Sequence, residues 1–145
     1  MIDITKINVK ELIPQKEPFV MLDNLLFANS YSAESSWKIP SNAIFVNSGK
    51  LSPCAFLENM AQTCAVQLGY IDKYIFNNTI VRIGFIGSVK NFTILEIPSV
   101  GDTIITKIEI LEQIMDMKLI NAVSKIDDRV VATAELKIAI SDKSL

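Results

Sequence analysis

The sequence predicts an α+β fold in which about six antiparallel strands curve around one long helix. Three observations lead to this prediction. The stretch Lys50–Phe76 is apolar on nearly every side when it is read as a helix, and such a helix must be covered all round. The segments after it alternate between apolar and polar residues. Tight-turn residues, Asp116 and the pair Asp127-Asp128, join the last three segments into an antiparallel meander.

The chain before the long helix is predicted to form a short helix and a β-hairpin. Asn8 and Glu11 have the spacing of a capping box, and the helix that they open ends at Pro14. Phe19–Ala28 reads as a strand. Tyr31–Ile39 alternates and is its predicted hairpin partner. One face of that partner is predicted to carry Tyr31, Ala33, Ser35 and Trp37.

The long helix is predicted to begin at Ser52-Pro53, because serine suits the N-cap and proline suits the first helical position. It is expected to run to about Phe76. The strands after it are predicted at Val81–Leu95 (one strand or two), Thr103–Met115, Met117–Ile126 and Val130–Ile140. A chain of 145 residues is expected to form one domain, here residues 1–145.

The composition excludes several classes of function. The formal charge of −2 has no basic block, which argues against a nucleic-acid binder. The sequence has no histidine, so a protein built from this chain alone cannot use Ser-His-Asp, Cys-His or His-metal chemistry. No metal site and no cofactor are therefore expected. Any general acid or base must be Asp, Glu, Lys, Tyr or Cys.

The two cysteines, Cys54 and Cys64, are expected to remain free thiols. On one helix they would be separated by about 15 Å of rise, which is beyond the reach of a disulfide. This predicts a reducing compartment, the cytoplasm. The N-terminal residues lack the apolar core of a signal peptide, and the longest apolar window carries too many polar residues for a membrane span.

Glu58 is the residue of the long helix that most needs an explanation. With Gln62 at i+4 and Asn59 beside it, Glu58 forms one polar stripe on an otherwise apolar helix. An ionised carboxylate is costly to bury unless it is paired, and it can serve as a general acid or base. The alternative is structural: Glu58 lies at the helix edge in water or accepts a hydrogen bond from a backbone amide.

Three segments resemble one family of enzymes. The stretch "ELIPQKEPFVMLDNLL" resembles the opening motif of the FabZ-type β-hydroxyacyl-acyl-carrier-protein dehydratases. The stretch "FLENMAQ" resembles their helix motif, and "IPSVGDTI" resembles a turn that is common in the fold. The three follow one another in the family's order, and the resemblance covers most of the chain, from Leu12 to Ile140. The loop Asn47–Pro53 looks more like the dehydratase-like branch of aryl-polyene and related pigment pathways.

This resemblance implies a hotdog fold and a dimer in which each active site joins the N-terminal motif of one subunit to the helix of the other. The substrate would be an acyl thioester on acyl carrier protein or coenzyme A. Glu58 falls on the family's catalytic acid, and Gln15 falls on its catalytic histidine. An amide cannot gain or lose a proton near neutral pH, so Gln15 could only orient the substrate.

Three functions follow from this pattern. The first is a dehydratase in which Glu58 is the single acid and base and Gln15 holds the substrate. The second is a thioesterase that uses the same carboxylate. The third is a non-catalytic acyl-binding subunit that pairs with a histidine-bearing homologue. The assembly would be a homodimer, a larger oligomer of dimers, or a heterodimer with a related dehydratase.

Further residues are predicted to bind the substrate. The backbone amides at the helix start, Cys54, Ala55 and Phe56, would polarise the thioester carbonyl. The Cys54 side chain is expected to pack rather than to act as a nucleophile. Phe19 and Phe45 are candidates to line the acyl tunnel. Gln62 of the polar stripe is a further candidate to bind the substrate.

Overall fold

Six strands form one antiparallel sheet in a computed structural model, which describes residues 2–141. Their spatial order is β1-β2-β6-β7-β8-β5, so β1 and β5 are the edge strands. A separate two-stranded hairpin, β3-β4, lies just before the long helix. The strands are β1 Asn24–Ala28, β2 Ser32–Lys38, β3 Val46–Asn47, β4 Lys50–Leu51, β5 Ile83–Ile94, β6 Thr103–Ile114, β7 Met117–Ile126 and β8 Arg129–Ser141.

The long helix α1 spans Cys54–Tyr70 and continues as a π-helical turn over Ile71–Ile75. Its predicted extent to Phe76 is confirmed, but its start is one residue later than expected. Pro53 occupies the N-cap position, and no side chain caps the helix. Two short 3₁₀ helices, Ile4–Lys6 and Val9–Glu11, precede β1.

The core lies between α1 and one face of the sheet. Helix α1 packs against β6, β2 and β5. The alternating strands turn their apolar positions toward it, as a half-buried sheet requires. Buried residues of this face include Ile104, Ile108, Ile120, Ala122, Ala134 and Leu136. The α+β prediction and the β6-β7-β8 meander are confirmed. The predicted domain of residues 1–145 includes Met1 and residues 142–145, which lie outside the described part.

Two details of the N-terminal prediction were wrong. The strand predicted at Phe19–Ala28 begins only at Asn24, because the backbone before it is hydrogen bonded to side chains of α1 rather than to a strand. Tyr31 was grouped on one face of β2 with Ala33, Ser35 and Trp37, which are buried, but it is 73% exposed because it lies in the turn before the strand. Asn8 does cap the second 3₁₀ helix, where its side chain accepts from the Lys10 amide.

Gly69 lets the N-terminal segment approach α1 closely. A Cβ at this position would lie 2.1 Å from the backbone oxygen of Leu12, which is far inside any normal contact. Gly69→Ala is therefore expected to lower the free energy of unfolding by about 1–3 kcal/mol, although alanine favours a helix by about 1 kcal/mol over glycine. Urea unfolding measures this. Gly87→Ala is the control, because its added Cβ meets nothing nearer than 3.5 Å. If Gly69→Ala were as stable as the wild-type protein or more stable, Leu12 would not approach α1 this closely.

Candidate active site

Side chains of α1 hold the segment Phe19–Met21 against the helix. The Gln62 side-chain oxygen accepts from the Met21 amide at 2.7 Å, and its nitrogen donates to the Phe19 carbonyl at 2.7 Å. Asn59 donates to the Met21 carbonyl, also at 2.7 Å. Asn59 and Gln62 are completely buried. They fix the loop that carries the N-terminal motif in one position along the helix.

Glu58 is held by the same glutamine. Its Oε1 accepts from Gln62 Nε2 at 2.8 Å, across one helical turn, and its side chain is half-buried. The structural alternative named a backbone amide as its partner, whereas the partner is a side-chain amide. Gln62 thereby uses both of its N–H groups and its oxygen within the protein. Glu58 is left with a second carboxylate oxygen that no described residue contacts by a hydrogen bond.

The buried polar stripe extends from α1 into the sheet. Thr106 on β6 donates to Asn59 Oδ1 at 2.6 Å and lies 2.7 Å from the Ser124 hydroxyl on β7. On the other side, Thr63 lies 2.8 Å from the Ser35 hydroxyl on β2. Every buried member of this network has a partner, which is the condition under which buried polar groups rigidify a core.

The start of α1 offers one amide that no described residue uses. Ala55 N donates to Ser52 O and Phe56 N donates to Pro53 O, at 3.0 and 3.1 Å. Of the three amides predicted to polarise a carbonyl, only that of Cys54 lacks an acceptor in residues 2–141. Cys54 itself is an exposed free thiol, and the side chains of Ala55 and Phe56 are completely buried.

Gln15, in the N-terminal segment, lies beside α1 one to two turns further along the helix than Glu58. It lines a small cavity with Ala61 and Ala65, which follow Glu58 by one and two turns on one face of α1. Gln15 and Glu58 are not hydrogen bonded within the described chain. The two predicted tunnel residues differ in burial, since Phe19 is 55% exposed and Phe45 is partly buried against the core.

Lys118 on β7 is a residue of this region that the sequence reasoning missed. It lines the cavity of Gln15 and is only 7% exposed. Burial lowers the pKa of its ammonium group, and the nearby positive charge of Arg82 adds to this effect. The signal was present in the sequence, because the period of two along β7 places Lys118 on the same inward face as Ile120 and Ala122.

Residues 2–141 meet neither the requirements of a metal site nor those of a membrane-spanning helix. Residues 2–141 contain no group of three or more Cys, Asp or Glu side chains that could hold a metal ion. Over the same residues, no helix combines the length and the apolar character that crossing a membrane requires.

Solved structures share this arrangement of sheet and helix. The dehydratase heterocomplex ApeI:P from Xenorhabdus doucetiae has a chain that matches with a TM-score of 0.87 at 17% identity, covering 94% of this chain and 93% of that one. An uncharacterized protein from Pyrococcus horikoshii gives 0.69 at 11% identity, covering 92% and 94%. A hypothetical thioesterase with coenzyme A from Streptococcus pneumoniae gives 0.63 at 11%, covering 84% and 88%. These likenesses define the hotdog fold, which confirms the prediction.

The family follows from a second comparison. A family model described as ApeP-like, ApeP dehydratase, matches residues 7–144. No curated protein matches the sequence. The chain belongs to the ApeP-like dehydratase family, and the resemblance read from the three sequence motifs is confirmed.

Proposed function

We propose that this protein is a subunit of a dehydratase that acts on 3-hydroxyacyl thioesters, carried by acyl carrier protein or coenzyme A, in aryl-polyene-type biosynthesis. The family match over residues 7–144 supports the reaction class, and the likeness to the ApeI:P dehydratase heterocomplex agrees with it. The single observation that carries the mechanism is the position of Glu58. It is a half-buried carboxylate that Gln62 holds through one oxygen, leaving the other for a substrate.

Glu58 performs both proton transfers in this mechanism. Its carboxylate takes a proton from C2 of the substrate, and the electrons of that C–H bond form the C2–C3 double bond. The C3–O bond breaks, and the proton that Glu58 has taken passes to the leaving hydroxyl, which departs as water. Glu58 returns to its carboxylate form, so no other titrating group is consumed.

The N-terminal end of α1 stabilises the charge that develops on the thioester carbonyl. The amide of Cys54 is the donor for this oxygen, because the amides of Ala55 and Phe56 already donate to Ser52 and Pro53. The positive end of the helix dipole adds to the effect. Phe19 and Phe45 would line the path of the acyl chain, and Gln62 acts by positioning Glu58 rather than by touching the substrate.

A second hotdog subunit completes the site. Strand β5 is a long edge of the sheet with large exposed apolar side chains, including Phe85 at 57% and Val89 at 37%. An exposed apolar edge strand favours pairing with another edge. The Gln15 cavity includes Gly84 of this strand, so a partner at β5 would bring its own helix residues next to Gln15.

Phe85→Lys is expected to weaken this association at least about tenfold, because it places a charge in an apolar contact between strands. Analytical ultracentrifugation over a range of protein concentrations measures the effect. Tyr31→Lys, a change of an exposed aromatic side chain in the turn next to the opposite edge strand, is the matched control. An unchanged association of Phe85→Lys, or an equal loss in Tyr31→Lys, would place the interface elsewhere.

A second candidate is a non-catalytic subunit that binds acyl chains beside a histidine-bearing homologue. The favouring observation is Gln15, which cannot titrate and falls where the FabZ-type dehydratases that the sequence resembles have a histidine. The likeness to a heterocomplex of two dehydratase chains is consistent with such a pairing.

One assay separates these functions. The protein, alone and with any hotdog partner that co-purifies, is offered 3-hydroxyacyl, 2-enoyl and saturated acyl thioesters. Enoyl absorbance reports dehydration, and free thiol reports hydrolysis. We expect interconversion of the first two substrates without thiol release. Thiol release without enoyl turnover would make the protein a thioesterase, and binding without any turnover would leave only the non-catalytic subunit.

A further inference from the structure

The cavity beside Gln15 contains two polar groups that have no partner in the protein. Gln15 Oε1 is buried and accepts no hydrogen bond from any residue between 2 and 141. Lys118, almost completely buried, lines the same cavity, and its ammonium group donates no hydrogen bond to the described residues. A buried polar atom is normally paired, so the lone oxygen of Gln15 needs an explanation. One acceptor and one donor are therefore left unused at a single place.

The ammonium group of Lys118 has a carboxylate nearby, that of Asp72, but it donates no hydrogen bond to an acidic group among residues 2–141. The nearby carboxylate of Asp72 is engaged by Arg82 through two hydrogen bonds, at 2.8 and 2.9 Å. Cys64 also lines the cavity, but burial raises the pKa of its thiol to about 12, so it is neutral near pH 7. The other lining side chains are apolar, namely Ala61, Ala65, Leu68, Ile138 and Ile140. The N–H groups of Lys118 thus remain available to an oxygen atom that enters the cavity.

The size of the cavity limits what can bind there. Its volume is about 20 Å³, while a single water needs roughly 10–15 Å³. One oxygen-bearing group fits. A hydroxyl can accept from an amine and donate to an amide oxygen at the same time, whereas a carbonyl or an ether could use only the amine.

We propose that Lys118 and Gln15 together form the recognition site for the 3-hydroxyl group of the acyl substrate, with Lys118 donating to its oxygen and Gln15 Oε1 accepting its proton. This inference rests on the proposed substrate class and extends it, because it assigns a role to a strand residue outside the family resemblance. Glu58 of the same chain does not line this cavity, so the group that moves protons there would be Glu58 of the partner subunit, whose helix the proposed dimer brings next to Gln15. Lys118 provides the discrimination between hydroxylated and saturated chains.

The test is a binding measurement, so it does not require turnover. Stable analogues of a 3-hydroxyacyl thioester and of the saturated acyl thioester, with the same chain length and an amide in place of the thioester, are titrated into the full chain by calorimetry. The protein is used with its hotdog partner where one co-purifies. We expect the hydroxylated analogue to bind about ten to a hundred times more tightly, as a hydrogen bond to a charged group provides.

Lys118→Met keeps the length of the side chain and removes its donor, so the preference should fall to near one while the saturated analogue binds as before. Gln15→Leu should remove most of the same preference, and the double variant should lose little more than either single one. Lys125→Met, an exposed lysine on the same strand, is the matched control. Thermal unfolding checks that each variant is folded.

Three outcomes would overturn the proposal. The wild-type protein could show no preference for the hydroxylated analogue, Lys118→Met could retain the preference, or Lys125→Met could remove it equally. Failure of the dehydratase function itself gives a different pattern, in which the preference is present but enoyl turnover is absent.

Discussion

Glu58→Gln is expected to lower the rate of dehydration by about 10²- to 10⁴-fold, the usual contribution of a general acid or base. The reason is that a glutamine amide cannot accept the C2 proton. Its side-chain oxygen can still accept from Gln62, as Glu58 does at 2.8 Å, so the helix and the Phe19–Met21 loop should remain in place. Initial rates with a saturating 3-hydroxyacyl thioester measure the loss.

The matched control is Glu109→Gln. It removes a carboxylate from the exposed side of β6, where Glu109 makes only a surface ion pair with Lys107, so activity should be unchanged. If Glu58→Gln retained more than a tenth of the wild-type rate with an unchanged melting temperature, Glu58 would not be the group that moves protons.

Asn59→Leu is expected to have the largest effect on stability, lowering the free energy of unfolding by about 3 kcal/mol. Leucine has a similar size, so packing changes little. The buried carbonyl of Met21 would lose the donor that reaches it at 2.7 Å. Thr106 would lose the acceptor that it contacts at 2.6 Å. Leaving such groups buried and unpaired is what costs free energy.

Chemical denaturation at equilibrium measures this loss, and Asn121→Leu is the control. Asn121 lies half-buried on β7 and makes no side-chain hydrogen bond to residues 2–141, so its replacement should change stability by less than about 0.5 kcal/mol. Equal effects of the two changes would mean that the network around Asn59 contributes little.

The sequence predicted the fold well because its periods are strong. The alternation on β6, β7 and β8 and the acidic turns between them identified the meander. The apolar stretch of α1 identified the central helix. The strand predicted from Phe19 failed because side chains of Asn59 and Gln62 take the backbone groups of Phe19 and Met21. Local propensity cannot reveal a partner that lies about 40 residues away.

The candidate site was predicted less completely. Glu58 and Gln62 were found as one stripe, and the structure joins them by a hydrogen bond. Gln62 was predicted to bind the substrate, and in the structure it is buried and uses its amide within the protein, as Asn59 does. Lys118 was missed because a lysine in an alternating strand is usually on the exposed face, although its register indicated the inward one.

Solvent deuterium can show whether Glu58 transfers the proton at C2. A 2-enoyl thioester is hydrated in D₂O by the protein with its partner, and the product is examined by mass spectrometry and NMR. We expect one deuterium at C2 with the wild-type protein and none above background with Glu58→Gln. Equal deuterium incorporation at C2 by the two proteins would mean that another group transfers this proton.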